Sequence, residues 1–399
     1  MAFQIDTSSI HSASMRLEVI GNNIANSNTA GFKGSEFDDV LATSMSGAIG
    51  AKKAGTRQSF SQGNITASSN PLDMAISGKG FFRVVSNGVA SYTRNGQFML
   101  DKSGKIMNST GEQLSGYTVD ANGKIMTGAP VALTINPADY LPKASATATL
   151  KLTLDVRQPN IDVATTTFSP ADPTTYTHST TTTVYDASGA AHDVQTFYVR
   201  RSATSWDVYA SVDSVLTPAA TSRGTLTFDD NGALVPAAAG STVGVFSLSI
   251  GSAQLVSFDM SSAVQYGTSF AATMEQDGSP PGQMTGYKVG ADGIITASYS
   301  NGRSVNMGQV ILASFKNTDA LAPTESNQWL ETAASGAVSL NTAGAGGLGT
   351  IQASSTEDAN IDLTAEMIKM ISAQRVFQAA AEMVKKQDQI MQTVVNIGQ

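Results

Sequence analysis

The feature that most constrains this chain is an apolar repeat that occurs at both ends and has no counterpart between them. Within residues 6–24, apolar side chains recur at alternating steps of three and four: Ile10, Ala13, Leu17, Ile20 and Ile24. Within residues 362–397 the same kind of seam contains Leu363, Met367, Met370, Phe377, Val384, Met391 and Val395. A repeat of about 3.5 residues is typical of helices that pack along one another. The sequence therefore predicts a helix at each end of the chain and pairing between the two.

Capping chemistry predicts where these helices begin and end. The first is expected to start at the polar run 6–9, which offers side-chain oxygens to unpaired N–H groups, and to stop in 26–31, where Asn and Gly favour turns. The second is expected to start at Asp362, with Glu366 in its first turn and Gly398 as its C-terminal cap.

The two predicted helices differ in length and in apolar width. The first is about half as long as the second, so it cannot cover its partner. A second apolar stripe adjoins the first on the longer helix and contains Val376, Ala380, Met383, Ile390, Val394 and Ile397. We therefore expect the longer helix to contact further copies of the same chain as well as the shorter helix, rather than to pack only internally.

Between the ends, the pattern changes to strands and turns. From residue 78 the apolar period becomes two, and Asn-Gly or Asp-Gly pairs recur, as at Asn87 and Asn95. Such pairs are strong hairpin signals, because both central residues of a type I′ turn need positive φ. The run 309–315 is predicted to be a buried strand, and 336–349 is a Gly-rich loop. The fold class is thus mainly β, largely antiparallel, with α-helical coiled-coil ends.

A discontinuous, nested arrangement of domains is expected. Residues 1–30 and 358–399 form the helical domain, 31–70 an extended connector, 71–145 and 276–357 a middle β domain, and 146–275 a second β domain. The Thr-rich, Pro-containing stretch 147–183 is expected at sheet edges or in loops.

Composition excludes several classes of function. The net charge of −8 gives no attraction to phosphate backbones, so nucleic acid is not an expected partner. The chain has no Cys, which excludes disulfides, thiolate zinc sites and cysteine nucleophiles. No apolar run is long enough to span a bilayer, and no cleaved signal peptide is visible at the N-terminus. We expect no membrane insertion.

No motif predicts catalysis, a metal or a cofactor. His11, His178 and His192 lack ligand spacing, and no Gly-x-Ser-x-Gly elbow occurs. The Gly-containing run 77–82 lacks the further glycines and the helix of a phosphate-binding loop. The run 229–232 lacks the distant Glu of a calcium loop. Both are expected to be turns, and the chain is not expected to be an enzyme.

Motifs at both ends resemble the flagellar axial family of rod and hook subunits, and the resemblance covers essentially the whole chain. The signatures lie in 17–34, 359–368 and 373–379, with further family elements in 78–82, 92–98 and 185–189. The motif residues are Asn22, Asn23, Ala25, Asn26, Thr29, Gly31, Phe32, Lys33, Asn360, Asp362, Leu363, Glu366, Gln374 and Arg375. Ala359 and Ala187 depart from the family pattern, which commonly has Ser and Leu there.

The resemblance implies a structural role outside the cell. Rod subunits have a shorter middle, so the inserted domain favours the hook branch. The helices would form the inner coiled-coil layer of a curved tubular homopolymer, and 146–275 its outermost domain. Such a polymer is a universal joint that passes motor torque to the filament. The implied partners are the chain itself, the distal rod, the hook cap, hook–filament junction proteins and the flagellar export apparatus.

Two alternatives stay open at this point. One is a distal rod or hook-associated subunit of the same system. The other is a secreted β-rich adhesin or carbohydrate-active enzyme, and an adhesin should keep its function when the terminal helices are deleted. A glycosidase would need two carboxylates on facing β elements, and the sequence does not place such a pair.

Overall fold

The structure, a computed structural model, describes residues 2–38, 41–43, 49–51, 55–120, 123–162, 166–216, 222–235, 244–250, 254–324 and 326–397. Within these ranges, the side chains of residues 2–9, 41–43, 49–51, 387, 388, 391 and 394–397 are outside the description. Two members of the predicted C-terminal seam, Met391 and Val395, and the predicted cap Gly398 therefore lie outside the described side chains.

Both predicted terminal helices are present. Helix α1 spans Ala2–Ala25 and helix α2 spans Leu363–Ile397. Asp362 caps α2 as expected, because its Oδ1 accepts hydrogen bonds from the backbone N–H groups of Thr364 (2.9 Å) and Ala365 (3.2 Å). α1 starts ahead of the predicted cap at 6–9. No Gly or Pro interrupts residues 2–9, so an established helix extends through them at little cost.

The chain divides into two compact units. Unit 1 contains residues 1–137, 285–298 and 304–399, and unit 2 contains 138–284 and 299–303. The expected four-part division is not tested by this partition and stays a prediction. Short 3-10 turns lie at Pro173–Thr175 and Thr318–Ala320.

The strands of the first part of unit 1 are β1 (Ser35–Asp38), β2 (Leu41–Thr43), β3 (Ile49–Ala51), β4 (Gly55–Gln58), β5 (Ile65–Ala67), β6 (Met74–Ser77), β7 (Phe81–Ser86), β8 (Val89–Thr93), β9 (Met99–Leu100), β10 (Ile106–Met107), β11 (Gln113–Tyr117) and β12 (Val131–Ala132). Those of unit 2 are β13 (Thr147–Asp155), β14 (His178–Tyr185), β15 (Ala191–Arg200), β16 (Ser205–Val212), β17 (Val215–Leu216), β18 (Gly224–Thr227), β19 (Val245–Ile250), β20 (Gln254–Asp259), β21 (Val264–Tyr266) and β22 (Ala271–Gln276). The remaining strands are β23 (Met284–Val289), β24 (Ile294–Tyr299), β25 (Ser304–Ser314), β26 (Ala322–Thr324), β27 (Gln328–Leu330), β28 (Ser339–Thr342), β29 (Thr350–Ala353) and β30 (Ser355–Glu357).

Unit 1 is organised around a large sheet with the strand path β23-β24-β25-β11-β7-β8-β27-β26. Its central strand β25 contains residues 309–314 of the run 309–315 that the sequence predicts to be a buried strand, and Val310 to Ala313 are fully buried. An aromatic cluster fills the core beside β7. Phe60, Phe81 and Trp329 meet edge to face, with ring centroids 5.4 to 5.5 Å apart.

The connector also contains paired strands, which the sequence did not predict. β1 pairs antiparallel with β4, and β2 with β3, so residues 35–58 contain the two ladders of a hairpin. Farther along, β5 pairs with β30 near the other end of the chain. The segment is rich in small residues with weak periodicity, and backbone pairing leaves little trace in such a sequence.

Unit 2 packs two five-stranded sheets around one core. The first has the path β19-β20-β13-β21 with β22 also paired to β13, and the second β14-β15-β16-β17 with β18 paired to β16. β13 runs parallel to β20 and β21, which is an exception to the largely antiparallel pairing that the sequence predicts. Leu152, Trp206 and Phe258 are buried in the shared core. Within the Thr-rich stretch 147–183, strand β14 lies at a sheet edge, as predicted. The prediction is wrong for residues 147–155, because β13 pairs with β20, β21 and β22 inside its sheet.

Turn chemistry differs from the expectation at most Asn-Gly and Asp-Gly pairs. Only Asn87 and Gly88, among the described pairs, both have positive φ (50° and 82°), the type I′ signature. At Gly232, Gly293 and Gly302 only the glycine is left-handed. These turns also close hairpins, but through a single left-handed glycine.

Candidate functional site at the junction of the chain ends

The end of α1 meets the start of α2, so the two helices run antiparallel and pack along one another. On α1, the predicted seam lies inward: Ala13 and Ile20 are buried, and Ile10, Leu17 and Ile24 are half-buried. This arrangement turns one face of each helix toward the other and leaves the outer faces open.

The buried seam of α2 is shifted relative to the expectation. Met370, Phe377 and Val384 are half-buried, as predicted, but the most buried positions between them are Ala373 and Ala380. Small side chains at a contact let helix axes approach closely. The sequence analysis placed Ala380 in the second apolar stripe and Ala373 in neither stripe, so the internal contact is shifted from the predicted seam.

The outer face of α2 is apolar and exposed. Leu363 and Met367, expected in the seam, are 41% and 49% exposed and lie outside the intramolecular contact. The same is true of other large apolar side chains along the helix. They are Ile368, Ile371, Val376, Met383 and Ile390, each more than half exposed.

Two buried polar side chains of the terminal motifs join the helices to the connector. Asn23 donates from Nδ2 to the backbone oxygen of Ser35 (2.8 Å) and to Glu366 Oε2 (3.4 Å), and its Oδ1 accepts from Ser35 N (3.0 Å). Glu366 Oε1 accepts from Lys369 Nζ at 2.6 Å. One Asn thus links α1, β1 and α2.

Asn360 provides a second link, on the approach to α2. Its Oδ1 accepts a hydrogen bond from Gly34 N (2.8 Å), and its Nδ2 donates to the backbone oxygens of Ser59 (2.8 Å) and Ser61 (3.1 Å). Residues 34, 59–61 and 360 are far apart in the sequence, so this side chain joins both sides of the hairpin to the C-terminal segment.

At the centre of the junction is a buried ion triad. Glu357 accepts from Lys33 Nζ at Oε1 (2.5 Å) and from Arg94 Nη1 at Oε2 (3.2 Å), and the three side chains are at most 4% exposed. The carboxylate also accepts from Gly63 N at 3.0 Å. The cations have additional acceptors: Lys33 Nζ donates to the backbone oxygen of Ser61, and Arg94 Nη2 to that of Gly78.

Burial and ion pairing shift the pKa values of these two cations in opposite directions. Burial, the larger effect, lowers the pKa of Lys33 and of Arg94, and the carboxylate of Glu357 partly opposes it. A buried pair of this kind is sensitive to the loss of one partner, because the remaining charge is then left in a poorly solvating interior. The triad joins the N-terminal motif, β30 and the segment after β8.

Backbone contacts beside the triad hold its three chain segments close together. Gly31 N donates to the backbone oxygen of Glu357 at 2.6 Å, and Gly31 has a φ of +69°. A Cβ at this position would lie 2.3 Å from the backbone N of Asn95. Only glycine combines the left-handed conformation with such a close approach.

The other motif residues have lesser parts. Asn26 and Thr29 follow α1: Asn26 donates to the backbone oxygen of Asn22, Thr29 donates to Asn26, and Phe32 is buried. Asn22, Ala25, Gln374 and Arg375 are exposed and do not join the junction. Sequence reasoning missed the role of Glu357. The available signal was an acidic residue in a strand close to a terminal motif, in a chain with few charges.

Motifs that resemble ligand sites have structural roles. In the Gly-containing run 77–82, Gly78 N donates to Gln62 Oε1, its carbonyl accepts from Arg94, and the Lys79 carbonyl accepts from Gly349 N. These groups therefore do not cradle a phosphate. The described residues contain no set of three acidic or His side chains positioned to bind a metal ion. Neither helix, as far as it is described, has the length and apolar character needed to cross a bilayer.

Comparison with known proteins finds family models that match four successive parts of the chain. Four family models match: "Flagella basal body rod protein" over residues 8–33, "Flagellar hook protein FlgE/F/G D1 domain" over 75–150, "Flagellar basal body protein FlaE D2 domain" over 153–279, and "Flagellar basal body rod FlgEFG protein C-terminal" over 352–397.

Full-length relatives are similar from end to end. The flagellar hook proteins FlgE of Salmonella typhimurium and Escherichia coli K12 are 39% and 37% identical to the chain, with 100% of each chain covered. That of Borreliella burgdorferi is 30% identical, with 96% of both chains covered. The fold resembles that of Helicobacter pylori hook protein FlgE2, with a TM-score of 0.56 at 12% identity, over 72% of this chain and 99% of that one.

The family models that match both terminal segments identify the chain as a structural axial subunit of the bacterial flagellum. Within that class, the full-length relatives show which kind of axial subunit the chain is. The chain belongs to the flagellar hook protein family and is a structural subunit of the hook, part of the exterior of the flagellum, where the family self-polymerises.

Proposed function

We propose that the subunit assembles into a flexible curved tube in which its paired terminal helices form the inner layer. The middle β domain, 71–145 and 276–357, would surround that layer, and 146–275 would lie outermost. The end-to-end similarity to hook proteins supports this arrangement. The residues proposed to build the polymer core are those of the helix seams, with Met391 and Val395 included by sequence alone.

One observation carries the proposal: α2 has two apolar faces, and α1 covers only one of them. α2 is 35 residues long and α1 is 24, so the shorter helix also leaves part of the longer one uncovered. Exposed apolar side chains at helical spacing along one face are typical of an interaction surface. Leu363 and Met367, outside the internal seam, belong to the surface that copies would share.

Low charge suits the role of a universal joint. As a bent tube rotates, each row of subunits must shorten and lengthen once per turn, so lateral contacts must slide at little cost. Only 14% of residues are charged, against a norm of about 25%. A neutral Ser- and Thr-rich surface forms few salt bridges that sliding would have to break. We assign this sliding to the outer domain.

The remaining parts of the role are supported by the same family membership. We propose contacts with the distal rod, hook cap and hook–filament junction proteins, and passage through the flagellar export apparatus without a cleaved signal peptide. The subunit would act without catalysis or a cofactor.

Electron microscopy after induced polymerisation tests the proposal. The wild-type chain should form short curved tubes, and Ile371→Ser should raise the concentration needed for assembly at least tenfold, because it places a hydroxyl on the apolar outer face. Gln378→Ser, exposed on the same helix, is the matched control and should assemble normally. Straight rods, or equal assembly of both variants, would contradict the proposal.

A further inference from the structure

A groove opens in unit 1 between α1, the first half of α2 and β1. Its volume is about 350 Å³. The lining is largely apolar on the helices, with Val19 and Ile20 from α1 and Ile368 and Val376 from α2, and Phe37 adds an aromatic ring from β1. Ile368 and Val376 also belong to the exposed face of α2, so the groove continues that face.

The β1 side of the groove is acidic. Glu36 and Asp38 line it, and their side chains are 57% and 53% exposed. They share one cation, Arg57, at 3.6 and 3.3 Å. On the α2 side, Lys369 is already paired with Glu366. Arg16 lines the α1 side. The groove therefore presents an apolar lining with an excess of carboxylates along the β1 edge.

The second half of α2 has the complementary pattern. Met383, Lys386 and Ile390 are at positions i, i+3 and i+7 and therefore share one face of the helix. Met383 and Ile390 are 58% and 63% exposed, and Lys386 is exposed between them. An apolar-basic-apolar stripe of this kind matches a groove that is apolar inside and acidic at one edge.

We propose that the groove receives the second half of α2 from a second copy of the chain, with Met383 in the apolar lining and Lys386 beside Glu36 and Asp38. This contact rests on the proposed function and specifies which surfaces meet. Groove and stripe are different patches of one molecule, so the contact is head to tail. A head-to-tail contact need not close and can be repeated along a filament.

The positions of the two patches on one helix add a geometric consequence. Ser372 lines the groove, and Met383 follows it by eleven residues. At about 1.5 Å per residue, the two are about 16 Å apart along α2. A disulfide needs Cα atoms within about 7 Å, so cysteines at these two positions cannot join within one chain.

Cysteine cross-linking of the polymer tests the contact directly, because the chain has no cysteine of its own. Under mild oxidation, polymers of Ser372→Cys/Met383→Cys should give a ladder of covalent multimers on denaturing gels. Either single variant should give dimers at most. The matched control is Ser372→Cys/Lys385→Cys: position 385 is exposed but about 200° around the helix from 383, and it should give no ladder.

The outcomes separate the contact from the function on which it rests. If the double variant forms tubes but its cysteines stay unlinked, the proposed contact is wrong and the proposed function is unaffected. A wild-type chain that forms no tubes would overturn the proposed function and this contact with it. A ladder from the control pair as strong as that from the test pair would also overturn the assignment of the stripe.

Charge reversal provides a second measurement that does not depend on cysteine. Lys386→Glu should raise the critical concentration for assembly at least about fivefold at low salt, because it places a third carboxylate beside Glu36 and Asp38. Glu36→Lys/Asp38→Lys/Lys386→Glu should restore it to within about twofold. Lys385→Glu is the control. Equal effects at 385 and 386, or no rescue, would overturn the pairing.

Discussion

The two units both bury an apolar core, but they differ in the charges they bury. Unit 1 buries Lys33, Arg94 and Glu357 in mutual contact. In unit 2, the buried carboxylate of Asp155 pairs with Arg157, two residues away, whose side chain is 59% exposed. The carboxylate of unit 1 instead pairs with residues 324 and 263 positions away in the chain.

The difference reflects what each unit has to bring together. Unit 2 is formed mainly by one continuous stretch of chain. Unit 1 must join three separate segments, including both ends of the chain. Apolar burial is non-directional and tolerates alternative pairings, whereas a buried ion penalises every pairing that leaves it alone. We infer that the triad selects which segments meet, and that this selection sets the register of α1 and α2.

Each unit contains one of the two tryptophans, which allows the units to be followed separately. Trp329 lies in the core of unit 1 and Trp206 in that of unit 2. A Trp206→Phe background reports the unfolding of unit 1 through Trp329 fluorescence, and a Trp329→Phe background reports unit 2. Each prediction below compares a variant with its own background in urea.

The largest effect is expected from the triad. Glu357→Gln removes the charge shared by two buried cations and should lower the free energy of unfolding of unit 1 by about 3–5 kcal/mol. Glu36→Gln, which removes an exposed ion-pair partner, should cost less than about 1 kcal/mol. Unit 2 should be unchanged in both.

A triple variant distinguishes pairing from general packing. Lys33→Met/Arg94→Met/Glu357→Leu leaves no buried charge and should recover most of the lost stability, since apolar replacement of a whole buried ion set is often neutral. If it recovers stability but α1 and α2 no longer assemble into tubes, the triad acts in selecting the register. A triple variant as unstable as Glu357→Gln would contradict the role of unpaired charge.

The next effect is expected at the close approach of the N-terminal motif to the β body. Gly31→Ala should destabilise unit 1 by more than about 2 kcal/mol, because it adds a backbone clash to a left-handed conformation that costs roughly 1–2 kcal/mol. Gly88→Ala is matched in φ (+82°) but has open space around it, so it should cost only about 1 kcal/mol. Equal losses would mean that the contact with Asn95 is unimportant.

Asn23 and its neighbour Asn22 give a smaller and well-matched comparison. Asn23 is buried, and its truncation removes two hydrogen bonds to the backbone of Ser35 and one to Glu366, so Asn23→Ala should cost about 1–3 kcal/mol in unit 1. Asn22 is exposed, and Asn22→Ala should stay within about 0.5 kcal/mol. A larger loss of stability for Asn22→Ala than for Asn23→Ala would mean that Asn23 does not hold the junction together.

The sequence predicts those features that rest on local periodicity. The seam of α1, the cap at Asp362 and the buried strand over residues 309–314 are present because their patterns follow directly from helix and strand geometry. The α2 seam is displaced, since Ala373 and Ala380 contribute through closeness rather than size. The parallel pairs of β13 and the hairpin 35–58 depend on pairing between segments, which one strand's composition does not encode.

The junction could be predicted only in part, for a related reason. Asn23, Lys33 and Asn360 belong to motifs that the family resemblance identifies. Glu357 and Arg94 acquire their importance only when the chain brings them to the same buried point. No spacing along the sequence relates residues 33, 94 and 357, so the triad is a property of the tertiary fold.

The smallest effect is expected in unit 2, from two histidines whose pKa shifts have opposite signs. Hydrogen bonding to Asp213, with Nδ1 to Oδ2 at 2.7 Å, raises the pKa of His192, and the pKa of Asp213 is lowered in turn. The pair therefore stabilises unit 2 from about pH 4 to about pH 6.5, and this stabilisation is lost as pH rises through the raised pKa of His192. Burial instead lowers the pKa of His178, which stacks on Phe270 at 4.4 Å. The contribution of neutral His178 to the stability of unit 2 is therefore present above about pH 6.5 and is lost as pH falls through its lowered pKa.

His192 and His178 give the stability of unit 2 opposite pH dependences, so replacing one histidine at a time should separate the two effects. In the Trp329→Phe background, His192→Gln should leave unit 2 more stable at pH 8 than at pH 5.5, and His178→Gln should leave the reverse order. Each difference should be less than about 1 kcal/mol, because both histidines are partly solvated. Urea unfolding at the two pH values measures both. If both variants change the dependence in the same direction, the surface pair at His192 does not contribute as a charged contact, and the contrast between unit 2 and the buried ions of unit 1 becomes greater still.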